Sequence, residues 1–277
     1  MPRIVLNTKE LEITTGRTLF EVKKQWHENN YPDINEEDIV TIVDGFASMT
    51  DVVLHDGQEI SLIAKGEVPN EEELESLMVS RHTPGVHKAV KMATVAVCGL
   101  GGLGSTVAIA LARIGVGKLH LIDFDVVEPS NLNRQQYKIK HLGAYKTQAL
   151  SQEIAEINPY IEVEVTNTRI SFENAPELLK NDDIICECFD NPVAKAQLTN
   201  SVRIHLPETP LVAASGLAGY ESSNTIKTRK LSKNFYIAGD LDTSAQIGRG
   251  LMAPRVLVCA GHQANQVLRL ILGEKDV

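Results

Sequence analysis

Residues 95–114 read VAVCGLGGLGSTVAIALARI. Val95 to Cys98 is a short apolar run, Gly99-Leu-Gly101-Gly102-Leu-Gly104 is a glycine-rich turn, and Ser105 to Ile114 carries apolar residues at helical spacing. A strand that passes through glycines into a helix lets backbone approach a phosphate closely. Glycine has no Cβ to hold the ligand away, and a helix N-terminus favours anions. This stretch therefore predicts a nucleotide site at Gly99, Gly101, Gly102 and Gly104, without saying which nucleotide.

The pattern continues on the C-terminal side. Leu119 to Ile122 reads as a second strand ending in Asp123, 19 residues past Gly104. An acid about 20 residues beyond the glycines commonly accepts a ribose hydroxyl. Helical periodicity follows over Lys146–Ile157, closed by Asn158-Pro159. Strands are predicted at Val163–Thr166, Ile184–Cys188 and Leu211–Ala214, with a helix from Pro192. Pro254 suits the first turn of a last helix, and Gly273 stops it. Apolar strands alternating with helices predict an α/β fold: a Rossmann-like domain with a mainly parallel sheet.

Toward the N-terminus the pattern changes. Ile4-Val-Leu6, Leu11-Glu-Ile13, Ile39–Val43, Val52-Val-Leu54 and Ile60–Ile63 read as short strands, the last two flanking the Asp56-Gly57 turn. Thr18 and Glu21 fit a capping box that starts a helix. This order predicts a small ubiquitin-like β-grasp domain over residues 1–66. The acidic stretch 67–80, EVPNEEELESLMVS, is expected to be a linker helix capped by Asn70. Residues 81–277 then form the second domain.

Composition narrows the function classes. The 277 residues carry a net charge of −9, against the basic face that nucleic-acid binding requires. No run of about 18 apolar residues is present, and MPRIVLNTKE lacks the apolar core of a signal peptide, so no membrane span and a cytoplasmic location are expected. Cys98, Cys186, Cys188 and Cys259 lie in apolar segments without a C-x-x-C pair and read as buried thiols.

Residues 123–135, DFDVVEPSNLNRQ, separate the candidate functions. An NAD-dependent dehydrogenase has no use for Ser-Asn-Leu-Asn-Arg-Gln directly after its ribose acid, whereas an enzyme holding a triphosphate does. Here the sequence resembles the ThiF/MoeB/HesA family, bacterial relatives of ubiquitin-activating enzymes. The shared pattern is Gly-x-Gly-Gly-x-Gly, Leu-Ala-Arg-x-Gly-Val-Gly (Leu111 to Gly117), Asp-x-Asp, Ser-Asn-Leu-x-Arg-Gln, a later Lys and Phe-Asp-Asn, all in order between residues 99 and 191. The likeness covers roughly residues 80–272.

The resemblance implies an ATP- and Mg²⁺-dependent adenylyltransferase. It would activate the C-terminal carboxylate of a separate ThiS-like sulfur-carrier protein, with thiamine thiazole synthesis as the implied pathway. Asp123 would bind ribose, supported by Asp125. Asn131, Arg134 and Gln135 would face the phosphates, with Lys146 matching the family lysine. Asp190 would associate with Mg²⁺, and Asn191 would lie beside it. Relatives are homodimers in which an arginine reaches the partner's ATP site. Arg81 is the candidate, the alternative being a local turn at Pro84-Gly85. The two C-x-x-C pairs that hold zinc in many relatives are missing, so no zinc is expected. The stretch Ser215 to Arg249 lacks the cysteine that holds the carrier in some of them. Residues 1–66 resemble ThiS, but Ala64-Lys-Gly66-Glu67 runs on instead of ending in a free Gly-Gly, so this unit cannot itself be adenylated. Within the same reaction class, a tRNA-linked carboxylate or a peptide C-terminus would be the alternative substrate, the negative charge counting against tRNA.

Overall fold

The computed structural model describes residues 1–277 except Val68 and Thr83, and only the backbone of Ser76, Leu77, Val79–His82 and Pro84. The chain forms two compact units, Met1–His87 and Lys88–Val277.

The first unit comprises β1 (Arg3–Leu6), β2 (Lys9–Glu12), α1 (Leu19–Asn30), β3 (Ile39–Val43), β4 (Phe46–Ala47), β5 (Glu59–Ala64) and α2 (Glu71–His82). Its sheet runs β2-β1-β5-β3-β4, with β1 parallel to β5 and the other pairs antiparallel. Thr18 and Glu21 form the predicted capping box. Helix α1 buries Leu19 and Val22 against Ile4, Ile13, Ile39, Leu54, Ile60 and Leu62. The hairpin expected around Asp56-Gly57 does not form. Val52–Leu54 spends its backbone bonds at the start of α1, where Leu19 N–H donates to the Val52 carbonyl and Leu54 N–H to that of Arg17, both at 2.9 Å. Asp56 instead accepts from Arg3 N–H at 2.7 Å. Helix α2 opens at Asn70, whose side chain accepts from Glu73 N–H at 3.0 Å.

Helix α3 (Pro84–Met92) leads into β6 (Thr94–Cys98), α4 (Gly102–Arg113), β7 (Lys118–Asp123), α5 (Lys146–Ile157), β8 (Glu162–Asn167), α6 (Ala175–Leu179), β9 (Ile184–Glu187), α7 (Pro192–His205), β10 (Leu211–Ala214), β11 (Lys227–Ser232), β12 (Phe235–Gly239) and α8 (Ala253–Ile271). The seven strands run β11-β12-β10-β9-β6-β7-β8, and only β11 is antiparallel to its neighbour. Val95 to Cys98 are fully buried, as are Leu119, Leu121, Ile122, Ile185 and Cys186. Continuous apolar strands of this kind belong to a parallel sheet covered on both faces. Each large aliphatic side chain so buried contributes about 1.5–3 kcal/mol.

The chain leaves β6 toward β7 and β8, then returns to place β9 on the other side of β6. Successive connections diverge there, opening a crevice at the carboxyl ends of β6 and β9, where open α/β sheets bind ligands. Among the described residues no helix is long and apolar enough to cross a membrane.

Candidate nucleotide-binding site

The crevice is built around the glycine turn. Gly99 follows β6 with φ +89°, a conformation that L side chains rarely adopt, and an added Cβ would lie 2.7 Å from the Phe189 ring. A Cβ on Gly104 would overlap the Gly99 carbonyl oxygen, so α4 rests directly on the end of β6. Gly101 is the N-cap of α4 and provides no side-chain cap. The N–H groups of the first turn therefore have no intrahelical partner and remain available to an anion.

Asp123 ties this turn to β7. Its buried carboxylate accepts from Leu100 N–H at 2.6 Å and from Asp125 N–H at 2.8 Å. The residue expected to bind ribose thus also fixes the glycine backbone. Asp125 accepts from the Lys146 ammonium at 2.9 Å, with Lys146 buried and Asp125 about half exposed. Tyr137, unremarked in the sequence, donates its hydroxyl to the Leu100 carbonyl at 2.8 Å. Burial holds that phenol well above its ordinary pKa, so it stays a neutral donor.

Residues 129–131 form a 3₁₀ turn in which Asn131 Oδ1 accepts from Glu128 N–H at 3.0 Å. That turn carries Arg134 and Gln135 back to the glycines. A Cβ on Gly102 would lie 3.3 Å from Arg134 Cγ, and one on Gly101 would lie 3.8 Å from Gln135 Nε2. Arg134 donates to Asn133 Oδ1 at 2.9 Å and takes part in no ion pair among the described residues. Its positive charge is therefore uncompensated by carboxylate. The Oε1 of buried Gln135 has no partner among the described residues.

On the other side of the crevice, β9 ends in Glu187 and leads to Phe189, against Gly99, and to exposed Asp190. Asn191 caps α7, its Oδ1 accepting from Val193 and Ala194 N–H at 2.9 and 3.1 Å, so only its amide nitrogen is left for a ligand. Lys195 donates to both Glu187 oxygens at 2.9 Å and to the Ala214 carbonyl at 2.8 Å. Burial raises the Glu187 carboxyl despite this cation. The pair supports the Asp190 loop from behind.

Asp190 is an exposed hard carboxylate just after β9, at the carboxyl end of the sheet. That fits Mg²⁺, which takes one or two carboxylates together with substrate phosphates and water. Among the described residues no group of three His, Cys, Asp or Glu is placed to hold a metal ion unaided. The four cysteines are buried. Burial pushes Cys186 and Cys259 up to about 12 and holds Cys98 and Cys188 well above the ordinary thiol range, so none is a ready thiolate. The Arg81 side chain lies outside the described residues, and the local turn suggested at Pro84-Gly85 is instead the start of a helix, the backbone being helical from Pro84 to Met92.

Residues 75–277 match the ThiF family and residues 3–66 the ThiS-like ubiquitin family. Over 206 residues the chain is 34% identical to the adenylyltransferase and sulfurtransferase UBA4 of Saccharomyces cerevisiae, covering 71% of this chain and 46% of that one. It is 29% identical over 194 residues to the probable molybdopterin-synthase adenylyltransferase of Porphyra purpurea, covering 68% and 50%. The chain thus spans about half the length of these curated relatives. Escherichia coli tRNA N6-threonylcarbamoyladenosine dehydratase, TcdA, solved with ATP, aligns with TM-score 0.65 and 22% identity over 71% of this chain and 93% of its own. E. coli MccB with MccA-N7isoASN aligns at 0.54 and 23%, over 78% and 68%. At such identity these two likenesses establish the fold.

Proposed function

This chain belongs to the ThiF family, and from that premise we propose that it is an ATP-dependent adenylyltransferase for the C-terminal carboxylate of a ThiS-type sulfur-carrier protein. The observation that carries the proposal is the placement of Arg134 against Gly102 and Gln135 against Gly101, at the end of the strand β6 that neighbours β9, which Asp190 follows. Cations, helix N–H groups and a metal-ligating carboxylate then surround a triphosphate. The named activities of the curated relatives, both adenylyltransferases, support it.

The chemistry follows from charge. The carrier carboxylate attacks the α-phosphorus of ATP, an acyl–O–P bond forms, the α–β phosphoanhydride breaks, and pyrophosphate leaves. The carboxylate is already ionised at neutral pH, so no general base is required. The barrier is repulsion between an anion and a polyanion. Arg134 offers a planar fork to phosphate oxygens and Lys146 a point charge. Both act where negative charge grows on the leaving group. Asp190 would hold Mg²⁺, which supplies further charge neutralisation when bound. Asp123 would orient the ribose while it fixes Leu100.

The carrier would be a separate polypeptide, since the ThiS-like unit continues past Gly66. Its fused position suits docking, dimerisation or regulation. Thiamine thiazole synthesis, a homodimer in which Arg81 serves the partner's site, and a cytoplasmic setting complete the proposal. Calorimetry tests the nucleotide choice: Mg-ATP is expected to bind, with little heat from NAD. Tighter binding of NAD than of ATP would overturn the adenylation reading.

A further inference from the structure

Arg255, in the first turn of α8, is the most completely bonded side chain near the crevice that the proposed chemistry leaves unused. It is buried, yet all five of its N–H donors have acceptors. Nε donates to the Ala218 carbonyl at 3.1 Å. One terminal nitrogen donates to the Glu221 and Ser222 carbonyls at 2.8 and 2.9 Å. The other donates to Thr225 Oγ1 at 3.1 Å and to Asp240 at 2.5 Å. Asp240 in turn accepts from Asp242 and Thr243 N–H, each at 2.9 Å. One guanidinium thus pins the segment after β10 to the segment after β12. Backbone packing reinforces the join, because a Cβ on Gly239 would overlap the Ser215 carbonyl oxygen.

The same turn of α8 touches the nucleotide side. Val256, the next residue, packs on the start of α4, where a Cβ on Gly102 would lie 2.9 Å from its Cγ1. The strand order places these parts in a row at the carboxyl end of the sheet: Asp123 at the end of β7, the glycines after β6, Asp190 after β9 and residues 215–225 after β10. With adenosine on the β7 side, the acyl substrate has to approach from the β10 side. Resting on the adenylation reading, we infer that Arg255 is a positioning residue. It holds residues 216–225 at a fixed distance from the glycine turn, so that the attacking carboxylate is aligned with the α-phosphate.

Arg255→Lys tests this, because lysine keeps the charge beside Asp240 but loses the fork that reaches three carbonyls. In carrier-dependent ATP–pyrophosphate exchange, the carrier KM is expected to rise about 10-fold or more, since small misplacements of a reacting group are costly, while the ATP KM stays within about 2-fold. A merely structural role would lower the melting temperature and the active fraction and leave both KM values unchanged; that result overturns the inference. Should Arg255→Lys fail to fold, Asp240→Asn, which keeps the shape and removes the charge, is read by the same two outcomes. A wild-type protein without exchange on any carrier would overturn the adenylation reading itself, which separates the two failures.

Discussion

Arg134→Ala is expected to lower carrier-dependent ATP–pyrophosphate exchange about 100- to 1,000-fold, the usual loss when one preorganised charge partner of a transition state is removed, while melting close to wild type. The geometry separates the two effects. Arg134 makes no ion pair among the described residues, and its hydrogen bonds go to Asn133 and, at 3.4 Å, to the Ser130 carbonyl within its own turn. Its removal therefore breaks no ion pair among the described residues and no hydrogen bond beyond its own turn, and a change in stability of about 0.5 kcal/mol is expected. Lys146→Ala should behave similarly in exchange, and the Asp125 it leaves is half exposed and can be hydrated. Asp190→Ala removes an exposed carboxylate and completes the series. Retention by Arg134→Ala of more than about a tenth of wild-type exchange, against the loss expected, would mean that the arginine does not face the phosphates.

Gly104→Ala should fail in the opposite manner, by breaking the site's architecture. The new methyl would overlap the Gly99 carbonyl oxygen and approach Cys188 Cβ to 3.2 Å. The first turn of α4 has to lift from β6, and both neighbours are core. Overpacking of this kind costs about 1–3 kcal/mol, which lowers the melting temperature by about 2–4 °C per kcal/mol in a domain of this size. Displacing the helix N-terminus also removes the anion site, so Mg-ATP binding should be lost by calorimetry. Gly101→Ala is the control for stability, since its Cβ would meet nothing nearer than Gln135 Nε2 at 3.8 Å. Equal melting of Gly104→Ala and wild type would contradict the close packing of α4 on β6.

What could be seen in the sequence follows from how locally each feature is determined. Ile39–Val43, Lys146–Ile157 and Leu211–Ala214 were legible to the residue, because each is bounded by turn or capping residues. Thr94, Lys118 and Glu162 extend their strands by one polar residue, which an apolar pattern does not register. β11 was missed because KTRKLS carries an edge strand paired on one side only, where polar residues are tolerated. Val52–Leu54 has strand composition but is claimed by the loop ahead of α1, a tertiary choice that no local pattern encodes. In the site, the glycines and Asp123 were found from their spacing, Arg134, Gln135 and Lys146 from the family resemblance, and the fold brings them together. The supporting contacts were not legible: Tyr137 on the Leu100 carbonyl, Lys195 on Glu187 and the five bonds of Arg255. Each depends on a geometry that exists only once the sheet has formed, and the Tyr137 and Arg255 contacts join residues 15 to 37 positions apart.

The proposed function turns on one covalent product. The enzyme, Mg-ATP and a purified ThiS-type carrier are incubated, and the intact mass of the carrier is measured. The account predicts a carrier species heavier by one adenylyl group, formed only with ATP, requiring the carrier's free C-terminal carboxylate and absent with Arg134→Ala. A carrier left unmodified by an enzyme that adenylates a free peptide C-terminus or a tRNA-linked carboxylate under the same conditions would contradict it.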